Sequence, residues 1–369
     1  MNQALIPAAK PIVGDDERAA VDAVLASGML AQGPEVAAFE QEFSAALVDS
    51  RECVAVNSGT SGLHLGLLAA GIGRGDEVIV PSFTFAATAN AVALTGATPV
   101  FADIDPVTFC LDATSVATVI TDKTKAIMPV HLYGHPADMD AMSTLAKEHD
   151  LQIFEDAAQA HGATWHGAPV GSFGTFAMFS LYPTKNMTSG EGGMVSASTP
   201  EVVRALRLLR NQGMLQQYAN EVIGFNARMT DVHAAIGRVQ LRKLPEWTKQ
   251  RQANADFLTQ NLSGVSTPEI VDGASHVFHQ YTIRVAGGAD ERDRFAAALR
   301  EEFQVGCGVY YPTPCHKLSS LKHLDSRADL PKTEQAAAEV LSLPVHPSLT
   351  QGDLERIVTA VNTLSGSAK

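Results

Sequence analysis

The chain has 369 residues, 46% hydrophobic and 18% charged, an ordinary globular composition that excludes disorder, collagen and coiled coil as the main architecture. Its 27 basic and 40 acidic side chains give a net charge of −13, the wrong sign for a protein held to nucleic acid by counterion release. The first twenty residues carry no signal-like apolar run, and no stretch approaches the ~18 uninterrupted apolar residues of a spanning helix, so a cytoplasmic protein without a membrane partner is expected.

In chain order, Asp15 to Ser27 predicts a helix, with Val21, Val24 and Leu25 on one face and Gly28 just past its end. A second helix follows Gly33-Pro34, striped by Val36, Phe39, Phe43 and Leu47. CVAVN (53–57) is a short apolar run ended by SGTSG and the helical LHLGLLAAG. DEVIVP (76–81) repeats the pattern before a helix over 84–94. PVFADI (99–104), KAIMPVHLYG (125–134) and LQIFEDAA (151–158) are further buried-strand candidates separated by helical segments. This alternation demands crossover connections, and it predicts an α/β fold with a mostly parallel sheet between helices.

After Gly162, FAMFSLYPTKN and GGMVSAS predict two strands joined by a polar loop, then a basic helix around 202–210. A long helix starts at Asp231, and Pro245 is expected to bend or restart it and so mark a hinge. FHQYTIRV, a charged helix over 290–303, VGCGVYYP, LSLPVH and a terminal helix from Gln351 make a smaller α+β unit. About two domains suit this length. The expected division is a large domain over 12–245 and a small one over 246–369, on which residues 1–11 could pack. Cys53, Cys110, Cys307 and Cys315 have neither metal nor disulfide-framework spacing and are expected to be reduced.

Four segments carry chemistry. NSGTSG (57–62) joins a strand to a helix, where free amides and the helix dipole would receive a phosphate. Asp156, beside Glu155, ends a strand, the place where open α/β sheets bind ligands, and its carboxylate could hold a protonated ring nitrogen. Lys185 in SLYPTKN stands before SGEGG and could form a Schiff base once burial lowers its pKa. GFNARM (224–229) precedes the long helix. Each alone also reads as turn chemistry, a surface ion pair or a solvated lysine. No zinc spacing or P-loop is present.

Together they resemble the sugar aminotransferase family usually called DegT/DnrJ/EryC1/StrS, a branch of the fold type I pyridoxal phosphate enzymes. The resemblance runs through SGMLAQGPEVAAFE, SGTSGLHLGL, GDEVIVPSFTFAATANAV, GATPVFADID, TKAIMPVHLYGHPADMD, EDAAQAHGA, YPTKNMTSGEGG and GFNARMTDVHAAIGRVQL, with weaker traces in YYPTPCH and SLPVHPSLT. It implies that Lys185 binds the cofactor aldehyde and moves the proton between substrate and cofactor carbons. Asp156 is implied as partner of the pyridinium, Gln159 of the phenolic oxygen, Phe85 as the stacking aromatic, and Gly59, Thr60 and Ser180 as the phosphate cup. Asn226 is implied to reach the phosphate of the neighbouring subunit, hence a homodimer with composite sites. His161, Tyr311 and His316 are candidate substrate contacts, with His131 and Glu191 behind them.

Lysine rather than histidine at 185 favours transamination over the sugar dehydration of some relatives. The implied reaction takes nitrogen from an amino acid, L-glutamate by resemblance, to a keto group of a nucleotide-linked sugar. A cyclitol ketone or an aminobenzoate-type product is the alternative, and a cofactor-binding regulator without turnover is a third reading. Tyr310-Tyr311-Pro312 replaces the usual His-Tyr-Pro, and Gln212 replaces a usual histidine. These departures lie in or near substrate-facing segments and leave the sugar open.

Overall fold

Four- and five-residue runs, mostly apolar and almost wholly buried, build the central sheet. In the computed structural model, which describes residues 4–324 and 329–367, the first five strands are β1 (Cys53–Val56), β2 (Glu77–Pro81), β3 (Thr98–Ala102), β4 (Thr124–Ile127) and β5 (Gln152–Asp156). The short β6 (Thr164–Trp165) and β7 (Ala168–Pro169) form a side hairpin, and β8 (Phe176–Ser180) and β9 (Gly193–Ala197) complete the main sheet. Its order is β1-β9-β8-β5-β4-β2-β3, with β9 alone antiparallel to its neighbours. The mostly parallel sheet expected from the alternation is therefore present.

Helices α1 (Asp15–Ser27), α2 (Pro34–Leu47), α3 (Gly59–Ala69), α4 (Ala87–Leu94), α5 (Ala113–Val119), α6 (Met139–Glu148) and α7 (Pro200–Arg210) flank it. One face packs Val54, Phe154, Phe176 and Met178 against Leu63 and Leu67 of α3. The opposite face packs Ala177 and Phe179 against Phe39 and Phe43 of α2. Alternation along β5 and β8 thus puts Asp156 and Ser180 on the α3 side, at the strand ends where a ligand can enter.

Helix α8 (Asp231–Asn261) runs through Pro245 without interruption, contrary to the expected restart. The missing hydrogen bond is offset by packing on both sides, with Ala234, Leu241 and Leu244 in one core and Ala255 and Leu258 in another. After the two-residue β10 (Ala274–Ser275), which pairs with β6, the second core is closed by β11 (Tyr281–Arg284), α9 (Ala289–Glu301), β12 (Val340–Leu343) and α11 (Gln351–Ser367). Between them α10 (Pro331–Glu339) sends Ala336 and Ala337 into the core of the main sheet. Ile6 joins the second core, its amide donating to Gln304 O at 2.9 Å. VGCGVYYP forms no strand and contributes two isolated bridges, Val305 to Ile6 and Gly308 to Ser342. All four cysteines are free and buried.

Candidate active site

A cavity of about 500 Å³ opens at the carboxyl ends of the strands, with Phe85, Asp156, Gln159, Ser180, Lys185 and Tyr311 on its walls. At one end lies the N-terminus of α3. Ser58 caps the helix by accepting the Ser61 amide at 3.1 Å, and the Gly62 amide bonds to Ser58 O, while Gly59 and Thr60 face the cavity. A side chain at Gly59 would bring its Cβ within 3.1 Å of both Met178 Sδ and Ser180 Cβ. Glycine keeps this anion cradle open.

Asp156 is buried and faces that space. Its Oδ2 accepts from Thr88 Oγ1 at 2.8 Å and its Oδ1 from the Ala158 amide at 3.2 Å. Burial raises its pKa, and these donors and Lys185 pull it back. Lys185 lies in the loop joining β8 to β9, its amide bonded to Tyr182 O at 3.0 Å. Burial lowers its pKa to about 8, against the opposing pull of Asp156. The surface-lysine reading fails on that point.

Gln159 is fixed in one orientation. Its Oε1 accepts the Tyr133 amide at 2.6 Å, so its Nε2 is the group left to donate, and it reaches Tyr311 Oη at 3.1 Å. Tyr133 holds a left-handed φ of 60°, stored strain next to the site, and its hydroxyl donates to Tyr310 O. Phe85 lines the cavity and is 59% exposed, so it is not a core side chain, and its ring centroid lies 5.9 Å from that of Tyr311.

Of the remaining candidates only Glu191 lines the cavity. His161 is fully buried against the Phe179 ring, does not line the cavity, and has neither ring nitrogen hydrogen-bonded among the described residues. Burial, with Lys185 nearby, lowers its pKa to about 3. His316 ties two segments together, its amide bonding to Ser82 Oγ at 3.0 Å and its Nε2 to Glu334 Oε1 at 3.3 Å. His131 accepts the Ala137 amide on Nδ1, so its Nε2 donates to Glu155. Asn226 is exposed and outside its own chain's cavity, whereas Glu191 is on the wall. Thr88 and His279 are wall residues that the sequence reading missed. Thr88 carried a usable signal, one helical turn beyond Thr84, to which its hydroxyl bonds at 3.0 Å.

An anion cradle, a buried carboxylate, an exposed aromatic and a lysine of lowered pKa fit pyridoxal phosphate in donor set and in room. Among the described residues no cluster of histidine, cysteine and carboxylates could hold a metal, and no helix is long and apolar enough to cross a membrane. Fold and site define a fold type I, pyridoxal phosphate-dependent aminotransferase.

The sequence profile of the DegT/DnrJ/EryC1/StrS aminotransferase family matches residues 11–362, and the chain belongs to that family. It is 43% identical over 313 residues to a UDP-N-acetyl-3-dehydro-alpha-D-glucosamine 3-aminotransferase of Acidithiobacillus ferrooxidans, covering 84% of this chain and 83% of that one. It is 42% identical to a pleiotropic regulatory protein of Geobacillus stearothermophilus, over 92% of each chain. The solved structure of S. venezuelae DesV in complex with a ketimine intermediate superposes with a TM-score of 0.89 at 40% identity, over 95% of this chain and 94% of that one.

Proposed function

We propose that the chain moves an amino group from L-glutamate to a keto group of a nucleotide-linked sugar. The observation that carries this is the composition of the large cavity. Beyond the residues suited to the cofactor, its walls include Tyr182, Glu191, Gln280, Tyr310 and Tyr311, hydroxyls, an amide and a carboxylate that suit a polyhydroxylated ring, beside the apolar Leu63, Val130 and Met178.

Pyridoxal phosphate, when bound, supplies an electron sink conjugated to the reacting carbon. Lys185 takes the proton from the substrate carbon and returns it one position away, a role its lowered pKa suits. Asp156 keeps the ring nitrogen protonated, and the donors Thr88 and the Ala158 amide favour its ionised form against burial and aim it. Gln159 offers an N–H to the phenolic oxygen, Gly59, Thr60 and Ser180 take the phosphate, and Phe85 covers the ring face. Tyr311 meets the acceptor sugar.

The reading extends to a homodimer in which Asn226 serves the neighbour's phosphate, and to a division into a large unit over 12–245 and a small one over 246–369. Exposed apolar side chains beside Asn226 support the dimer: Tyr218 is 86% and Ile223 94% exposed. Four unpaired buried cysteines suit a reducing, cytoplasmic setting.

The test is turnover. Purified holoprotein is incubated with glutamate and a panel of nucleotide keto-sugars and cyclitol ketones, and products are identified by mass and NMR. An aminated nucleotide sugar supports the proposal; amination of a cyclitol ketone alone, or no product across the panel, overturns it.

A further inference from the structure

Two consecutive rings, Phe278 and His279, serve different interiors. Phe278 belongs to the second core and stacks on His276 with ring centroids 4.0 Å apart, whereas His279 lines the large cavity together with Lys185. The turn between them needs a left-handed φ of 45° at Phe278, a strained conformation that two backbone bonds hold in place. The Val277 amide donates to Gly134 O at 3.0 Å and the Gln280 amide to Tyr133 O at 3.1 Å. This close approach requires glycine at 134, where a Cβ would lie 3.0 Å from the His279 backbone nitrogen and 2.9 Å from Val277 Cγ2.

The same segment decides which ring nitrogen of His279 carries the hydrogen. Asn186, next to Lys185 in the chain and buried, donates through Nδ2 to Val277 O at 3.0 Å, so its Oδ1 is left to accept. That oxygen lies 3.3 Å from His279 Nδ1, which the hydrogen-bond network therefore assigns as the protonated nitrogen. Nε2 then carries a lone pair. It has no partner among the described residues, and unlike both nitrogens of His161 it is not sealed from solvent. Burial and the charges of Lys185 and Arg251, with the His161 and His276 rings, hold the pKa of His279 well below the ordinary 6.5, and the ring is neutral at pH 7. His279 thus offers the cavity an acceptor and no donor.

We propose that His279 Nε2 accepts a hydrogen bond from the hydroxyl beside the keto group of the acceptor sugar, and so selects sugars that carry one. The inference rests on the sugar half of the function proposed above. Lys185 works at the keto carbon, and His279 shares its cavity and is close enough to feel its charge, so a group that meets Nε2 lies beside the reacting carbon. A lone pair on a neutral ring attracts a hydroxyl hydrogen and repels a carboxylate, which assigns the contact to the sugar and not to glutamate. A hydroxyl entering the cavity gives up its bonds to water and recovers one at Nε2, whereas a deoxy sugar leaves Nε2 unpaired.

The test compares turnover of holoprotein on pairs of nucleotide keto-sugars that differ only in the hydroxyl beside the ketone, for wild type, His279→Asn and His279→Gln. The Asn amide takes the place of Nδ1 and keeps a donor for Asn186, while the longer Gln sets its carbonyl near the position of Nε2. Wild type should prefer the hydroxylated sugar by about ten-fold in kcat/KM. His279→Asn should lose that preference, His279→Gln should keep part of it, and KM for glutamate should move little in either. Independently of the variants, nitrogen NMR of isotope-labelled wild-type holoprotein should show His279 neutral with its hydrogen on Nδ1. Adding the hydroxylated sugar without an amino-acid donor should then move the Nε2 resonance upfield. An unchanged preference in His279→Asn, an equal loss on glutamate and sugar, a hydrogen found on Nε2, or an Nε2 resonance indifferent to the sugar overturns the assignment, and the NMR result decides alone if the variants do not fold. A protein that aminates no sugar of the panel sinks the proposed function, and this contact with it.

Discussion

Glu155 and Asp156 are consecutive in β5, and the sheet separates their carboxylates. Asp156 pairs in register with Met178 on the α3 side and looks into the large cavity. Glu155 pairs with Ala177 on the α2 side, where it accepts the amides of Gly171, Phe173 and Gly174 at 2.7, 2.8 and 2.9 Å and His131 Nε2 at 3.2 Å. Both are buried, yet their pKa values move oppositely. Burial raises both, but Glu155 has four donors and ends below its ordinary value, whereas Asp156 has two and stays above its own. One carboxylate holds a loop; the other is left for a ligand.

Asp156→Asn should leave the fold intact and lower kcat by roughly 10²–10³, the scale for losing a charge-stabilising group, with a smaller change in KM. Thr88→Val removes one donor to Asp156 and should cost about 1 kcal/mol of that stabilisation, a several-fold loss in kcat. Steady-state kinetics of the two variants beside wild type check the order. A near-normal kcat in Asp156→Asn would remove it from the role of ring partner.

Glu155→Gln should act on stability instead. Replacing the carboxylate leaves at least one buried amide without an acceptor, at a cost of roughly 2–4 kcal/mol in denaturant unfolding. Because the folded pKa lies below the ordinary 4.5, the stabilisation is fully present above that value and is lost as pH falls through the folded pKa. The gap between wild type and variant should therefore close in acid. A gap independent of pH would show that Glu155 titrates as an ordinary carboxyl.

Lys185 in cofactor-free protein should react with an amine-directed reagent along a titration curve centred near pH 8, well below the ordinary 10.5. Asp156 opposes that shift, so Asp156→Asn should move the midpoint lower still. Peptide mapping of the labelled lysine across pH reads both. A midpoint near 10.5 would mean that the residue is solvated.

The helix and strand alternation, and the motifs at strand ends, were legible because each rests on neighbours in sequence: apolar runs, a serine cap before α3, glycines at turns. What was not legible depends on distant pairs. Gln159 is oriented by the Tyr133 amide and by Tyr311, 152 positions away, and Asn186 by the carbonyl of Val277, 91 positions away. No periodicity encodes such partners. His161 reads as a pocket residue from its place after β5, yet two turns of irregular chain carry it behind the wall into contact with Phe179. Pro245 reads as a break, and long-range packing on both sides of it keeps α8 whole.

The proposed homodimer gives the shared-site reading its sharpest test. Asn226 is exposed on its own chain and lies outside its own cavity, so a role at a phosphate requires a second copy, and an isologous two-fold arrangement completes two sites at once. Lys185→Ala should be inactive and should lack the visible absorption of the cofactor-loaded protein. Asn226→Asp should bind cofactor weakly, since it sets a carboxylate against a phosphate. Mixed and allowed to exchange subunits, the two should regain activity, because each heterodimer has one site with both defects and one with neither. The expected ceiling is one working site per heterodimer, and cofactor should raise the dimer's stability by mass action. Sedimentation establishes that exchange has occurred. Exchange without recovered activity, or an active monomer, returns Asn226 to the turn residue that its bridge with Asn211 would make it.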